Sequence, residues 1–169
     1  FVRPNDQAIP HLLAEASRLL LERTGSPSLE GYQGGAERVH NIAEAIYEAM
    51  RRREITYVEP PSSFEGTGQR IRSHSEVLDR HVGTCLDLAC TYAAALEQAG
   101  LNPGLVVAEG HAFCGYLVEE SRLPETVIAT AAAIRTVADS DLLEAVETTK
   151  LCAGPSQDFD AARGAARHG

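Results

Sequence analysis

The chain has 169 residues, of which 44% are hydrophobic and 23% charged, with a net charge of −9. That length suits one domain with its own core, and no segment is long enough to span a bilayer. The acidic balance argues against sequence-independent binding to a phosphate backbone, which needs a basic face.

The chain opens on Phe1 without a signal-peptide pattern and reads as a domain cut from a longer polypeptide. Residues 7 to 23 predict a first helix, because Ile9, Leu12, Leu13, Ala16, Leu19 and Leu20 share one helical stripe. Asn5 or Asp6 can cap it, and Pro10 sits in the first turn, where proline is tolerated. Thr24-Gly25-Ser26-Pro27 ends it. Residues 36 to 53 predict a second helix, with Val39, Ile42, Ala43, Ile46, Tyr47 and Met50 inward. Ile55 to Val58 predicts a short strand, and Glu59-Pro60-Pro61-Ser62-Ser63 a loop, since prolines cannot continue a central strand. Ser73-His74-Ser75-Glu76 is a capping box for a short helix with Val77 and Leu78 inward.

Gly83-Thr84-Cys85-Leu86-Asp87 is a second capping box, with Thr84 as N-cap and Asp87 reaching back. Cys85 becomes the first residue of a helix that runs to about Ala99 and stops at Gly100. Cys85, Ala89, Tyr92, Ala93 and Leu96 form its inward stripe. The thiol therefore sits at the positive end of a helix, a setting that favours thiolate. Leu105 to Ala108 predicts a buried strand, and His111 to Val118 a second strand after the break at Gly110. A histidine opening that strand can lie against the helix start that carries Cys85. A thiol and an imidazole so placed suit nucleophilic catalysis. His81 can also approach Cys85, but a strand fixes the His111 ring more tightly. Residues 126 to 137 are alanine-rich and predict a helix. Leu142 to Thr149 predicts a strand, and Asp158 to Arg167 a closing helix capped by Ser156.

Cys85, Cys90, Cys114 and Cys152 are too scattered for a disulfide framework, which favours a reducing cytoplasm. Cys85 and Cys90 fall on different helix faces, and His111 and Cys114 on opposite strand faces. No metal site and no cofactor are expected from such spacings.

Gly-x-Cys-x-Asp-x-Ala at Gly83 to Ala89, followed by Gly-His-Ala-Phe at Gly110 to Phe113, resembles the core of the transglutaminase-like (papain-like cysteine peptidase) superfamily. The longer string of Tyr57 to Glu65, Gly68 to Arg72 and these two motifs resembles the transglutaminase-like domain of large bacterial helicase-type proteins. The resemblance implies an α+β fold: N-terminal helices and a nucleophile-bearing helix packed on a small antiparallel sheet. Residues 1–53 would be the helical layer and 54–169 the catalytic core of one domain. It also implies a triad of Cys85, His111 and an acid. Val146-Glu147-Thr148-Thr149 is the nearest equivalent of the superfamily's acid-bearing strand and assigns Glu147. There glutamate stands in place of aspartate and the proline is absent; Asp139, Asp141 and Glu144 are fallbacks. The Cys85 backbone N–H is one oxyanion donor, and Gln69 is a candidate for a second, as a glutamine before the cysteine is in papain-like enzymes.

Two function classes follow. One is a cysteine-dependent acyl-transfer enzyme acting on a protein or peptide: a peptide or isopeptide hydrolase, a deamidase or a transamidase. The other is a non-catalytic peptide-binding or scaffolding module within a multidomain helicase- or NTPase-type protein. Expected partners are the substrate and flanking domains, with no nucleic acid and no membrane. The bland alternative makes Cys85 and His111 core residues, as Cys90 and Cys114 are expected to be.

Overall fold

Asp6 opens α1 (Ala8–Thr24), its Oδ1 accepting from the Ala8 N–H at 3.0 Å and its carbonyl from the Ile9 N–H at 3.0 Å. A computed structural model describes residues 1–59, 68, 70–108, 110–121, 136, 142–154 and 156–168. Gly25, at φ 77°, ends α1 in the left-handed conformation that glycine adopts without steric cost. Helix α2 (Gly35–Arg51) packs against α1, and their apolar faces enter one core that includes Ile9, Leu12, Leu20, Ile42 and Ile46.

Strand β1 is only Thr56–Tyr57. It pairs in parallel with β2 (Val82–Gly83), Thr56 opposite Val82 and Tyr57 opposite Gly83. Between them lies α3 (His74–Arg80), started by the Ser73/Glu76 capping box. His81 follows at φ 54°, exposed, its Nδ1 directed to the Arg53 carbonyl. It serves the turn, not the cysteine.

Helix α4 (Cys85–Gln98) is the centre of the molecule. It packs on β3 (Pro103–Ala108), β4 (His111–Leu117), α1, α2 and α3. The single inward stripe expected for it is too narrow. Leu88, Cys90, Thr91, Ala94 and Ala95 are buried as well as Cys85, Ala89, Tyr92, Ala93 and Leu96. A helix covered on most sides must be apolar on most sides. Its end is a full Schellman motif: Leu101 N–H donates to the Leu96 carbonyl and Gly100 N–H to the Glu97 carbonyl, both at 3.0 Å, with Gly100 at φ 82°.

The second sheet is antiparallel in the order β3-β4-β5, where β5 is Leu143–Val146. Ala112, Cys114 and Tyr116 on β4 are buried. Strand β3 departs from expectation: among the described residues it pairs on one side only, with Leu105 39% and Val107 67% exposed. An apolar run reports the character of a strand and is silent on how many neighbours it has. The expected 142–149 strand stops at Val146, where a 3₁₀ turn, Thr148–Leu151, takes over. The closing helix α5 (Phe159–His168) covers β5 and is capped by Asp158, whose Oδ1 accepts from the Ala161 N–H at 2.8 Å; Ser156 does not cap it. The helix expected over 126–137 lies outside the described residues apart from Thr136, which is helical.

The architecture is α+β. Among the described residues no helix is long and apolar enough to cross a membrane.

Candidate active site

Cys85 owes its place to hydrogen bonds on both sides of it. Thr84 is extended (φ −87°, ψ 173°) and its hydroxyl accepts from the Asp87 N–H, while Asp87 accepts from the Thr84 N–H at 3.0 Å. That reciprocal box makes Cys85 the first helical residue. Immediately upstream, Gly83 is held in the β1–β2 ladder, its carbonyl accepting from the Val58 N–H at 3.0 Å. The thiol is thus pinned between a strand end and a helix start, and Cys85 is 4% exposed.

Asp87 does more than cap. It is fully buried, and its two oxygens also accept from the Arg72 backbone N–H at 2.8 Å and Arg72 Nη1 at 2.8 Å. One turn further on, the Thr91 hydroxyl donates to the Asp87 carbonyl at 2.8 Å and lies 3.1 Å from His74 Nδ1. His74 Nε2 accepts from the Arg3 N–H at 3.0 Å, so the ring proton lies on Nδ1 and is donated to Thr91. His74 is buried and neutral in this setting; desolvation holds its pKa below the usual histidine value.

The ladder also brings Tyr57 to the thiol. Burial raises the Tyr57 pKa, and the adjacent Cys85 sulfur, by charge and by hydrogen bonding to the hydroxyl, raises it further. Pattern reading recovers this strand but misses this residue. Tyr57 reaches Cys85 through parallel pairing with residues far along the chain, and local periodicity carries no signal for that.

The second half of the site is built on the larger sheet. His111 opens β4, and its Nε2 lies 2.7 Å from Glu147 Oε2. Glu147 is the residue between β5 and the 3₁₀ turn. Its other oxygen, Oε1, accepts from the Thr149 N–H at 3.0 Å and the Thr149 hydroxyl at 2.7 Å. Its backbone N–H donates to the Ala162 carbonyl on α5 at 3.0 Å. One carboxylate therefore caps a turn and holds a histidine. With Nε2 taken by Glu147, His111 Nδ1 has no hydrogen-bond partner among the described residues. The Phe113 ring stacks obliquely beside it, centroids 6.2 Å apart.

The structure thus joins His111 to Glu147 by a hydrogen bond and sets Tyr57 near enough to Cys85 for the sulfur to raise its pKa, while no hydrogen bond joins Cys85 to His111. Glu144 is committed elsewhere. Buried on β5, it accepts from Arg163 Nη2 at 2.8 Å and from Arg167 Nη2 at 2.9 and 3.0 Å, which fastens α5 to the sheet. Gln69, Asp139 and Asp141 lie outside the described residues.

The other thiols sit in the core. Burial pushes Cys90 and Cys152 up to about 11 and Cys114 higher still. All four cysteines are unbridged. Among the described residues no three His, Cys, Asp or Glu side chains converge as metal ligands.

No family model, curated protein or solved structure matches the chain.

Proposed function

We propose that the domain is a cysteine-dependent acyl-transfer enzyme of the transglutaminase-like, papain-like type, acting on an amide bond of a protein or peptide. The observation that carries this reading is the His111–Glu147 bond of 2.7 Å. An acid on Nε2 fixes the ring and leaves Nδ1 as the atom that exchanges a proton with a nucleophile. Cys85, at the start of α4, is that nucleophile.

In this mechanism Cys85 Sγ attacks the amide carbon while His111 Nδ1 takes the thiol proton. The same nitrogen then delivers the proton to the departing amine. Glu147 stabilises the imidazolium formed between these steps. The oxyanion is met by the Cys85 backbone N–H at the start of α4, and Tyr57, whose pKa is raised by burial and by the neighbouring Cys85, is the candidate for a second donor. The thioester is resolved by water or by an amine, which separates hydrolysis and deamidation from transamidation. Cys85 and His111 close on each other when substrate binds, as catalytic hydrogen bonds that are long in a free enzyme commonly do. The parent polypeptide is read as a bacterial helicase-type multidomain protein by the motif resemblance, and its cytoplasmic setting by the scattered cysteines.

A second reading has its own support. Cys85 is 4% exposed and unbonded to His111, as suits a cleft that binds a peptide without turnover. One experiment separates the two: iodoacetamide alkylation of each cysteine across pH, read by peptide mass spectrometry, in the parent and in His111→Ala. The acyl-transfer reading expects Cys85 to label fastest below neutral pH and to lose that lead in the variant. Labelling of Cys85 no faster than Cys90 or Cys114 overturns it in favour of the binding module.

A further inference from the structure

The hairpin that carries His111 has an outer edge that ordinary strand edges avoid. Among the described residues β3 pairs with β4 on one side only, with Ala108 opposite His111, Val106 opposite Phe113 and Gly104 opposite Gly115. Two residues connect Ala108 to His111, and Gly110 takes φ 75°. A two-residue connection makes Ala108 and His111 a hydrogen-bonded pair, and such pairs alternate along the ladder. The N–H and C=O groups of Val106 and Gly104 therefore point to β4, and those of Leu105 and Val107 point outward.

Native edges are blunted by lysine, by mid-strand proline or by a covering element. Here Leu105-Val106-Val107-Ala108 carries no charge, and the one proline, Pro103, stands at the strand's start. Leu105 and Val107 are 39% and 67% exposed. They share a sheet face with their partners Cys114 and Ala112, both buried in the core. The core face of the sheet thus continues past its covered part onto this edge. The opposite edge, β5, is covered by α5.

We propose that β3 is the docking strand for the substrate of the Cys85–His111 site, an extended peptide segment that adds to the sheet edge. The proposal rests on the acyl-transfer reading. Continuity with the site is its first support. A strand added to β3 lies roughly 10 Å from β4, two strand spacings. A segment that leaves the pairing at Ala108 emerges beside the turn that opens on His111. The exposed core-face side chains set the chemistry of the paired residues: apolar at alternate positions, to cover Leu105 and Val107. Charge supplies the other determinant. Glu119 and Glu120 are exposed just beyond the Pro103 end, and Glu120 lies close enough to Tyr32 to raise its pKa. The whole chain carries −9. The segment is therefore basic, with a lysine or arginine at the Pro103 end.

The test uses the full chain and random-sequence peptides displayed on phage, followed by residue-resolved amide hydrogen exchange with the selected peptides. Enriched sequences should alternate apolar residues and carry lysine or arginine. They should slow exchange at the Leu105 and Val107 amides, and compete with one another. Val107→Pro removes only an outward N–H, which an edge strand tolerates, and should weaken peptide binding by at least about tenfold. Its thermal midpoint checks that it folds, and Val107→Thr, which keeps the N–H, should restore binding. Four outcomes overturn the proposal: no enrichment, enriched peptides that bind Val107→Pro equally, slow exchange at both amides in the free chain, or slowing that rises with protein concentration alone. The last would make the partner a second copy of the chain. Alkylation of Cys85 in the parent is measured separately, so a failed docking strand and a failed acyl-transfer reading give different results.

Discussion

The two halves of the candidate site are held by different means. At the cysteine end, position is redundant: Thr84, Asp87, Arg72, Thr91 and His74 form one buried chain of hydrogen bonds around the start of α4. At the histidine end, one hydrogen bond among the described residues, His111 to Glu147, orients the ring, and the His111 side chain is 39% exposed. On the proposed acyl-transfer reading, a nucleophile fixed by many contacts and a base fixed by one make a site whose adjustable part is the base. Substrate closure is then a matter of imidazole placement, and damage to either end should have a different signature.

The largest expected effect is on chemistry without loss of fold. Glu147→Gln keeps an oxygen for the Thr149 N–H but removes the charge that stabilises the imidazolium. On the acyl-transfer reading, turnover of an acyl donor should fall on the order of ten-thousandfold, as loss of a triad acid's charge does elsewhere. An unchanged rate would remove Glu147 from the mechanism. At the cysteine end the expected damage is to stability. Asp87→Ala removes the carboxylate that accepts from the Thr84 N–H and leaves Arg72 unpaired, at a cost of roughly 3 kcal/mol in urea unfolding. A loss under about 1 kcal/mol would show that the buried network is not what fixes Cys85.

The smallest effects separate the two halves by pH. His74 has a lowered pKa in the folded state, so the unfolded chain binds the extra proton first. Its contribution is complete above about pH 6.5 and is lost as pH falls through the folded value. Glu144 behaves likewise in a lower window. Burial alone would raise its pKa, but Arg163 and Arg167 hold it below the usual glutamate value. The stability it lends is present above about pH 4.5 and lost as pH falls through the folded value. The Arg3–His74–Thr91 region should therefore loosen at a higher pH than the α5–β5 contact. Hydrogen exchange at the Arg3 and Glu144 amides from about pH 7 down to about pH 2 reads this order. A simultaneous loss would mean that the two ends unfold as one unit.

What pattern reading recovers follows the same division. Both capping boxes and the Gly100 stop are legible because their partners lie within a few residues and local hydrogen bonding decides them. The Arg72–Asp87 bond spans 15 positions, and Tyr57 meets Cys85 across a parallel ladder; neither leaves a local signature. The pairing of His111 with Glu147 spans 36 positions and was reached only through motif resemblance. The exposure of β3 departs from the sequence expectation for a related reason. Leu105 to Ala108 has the composition of a central strand, and its neighbours are set by chain topology.

The double engagement of Glu147 bears on how variants of this chain should be interpreted. Oε1 holds the Thr149 turn, and Oε2 holds His111. A mutational survey scored only on cellular abundance would purge most replacements at this position for weakening the turn. Intolerance at 147 would then mimic a requirement for activity. Only a replacement that keeps the cap and discards the charge can tell the two selections apart.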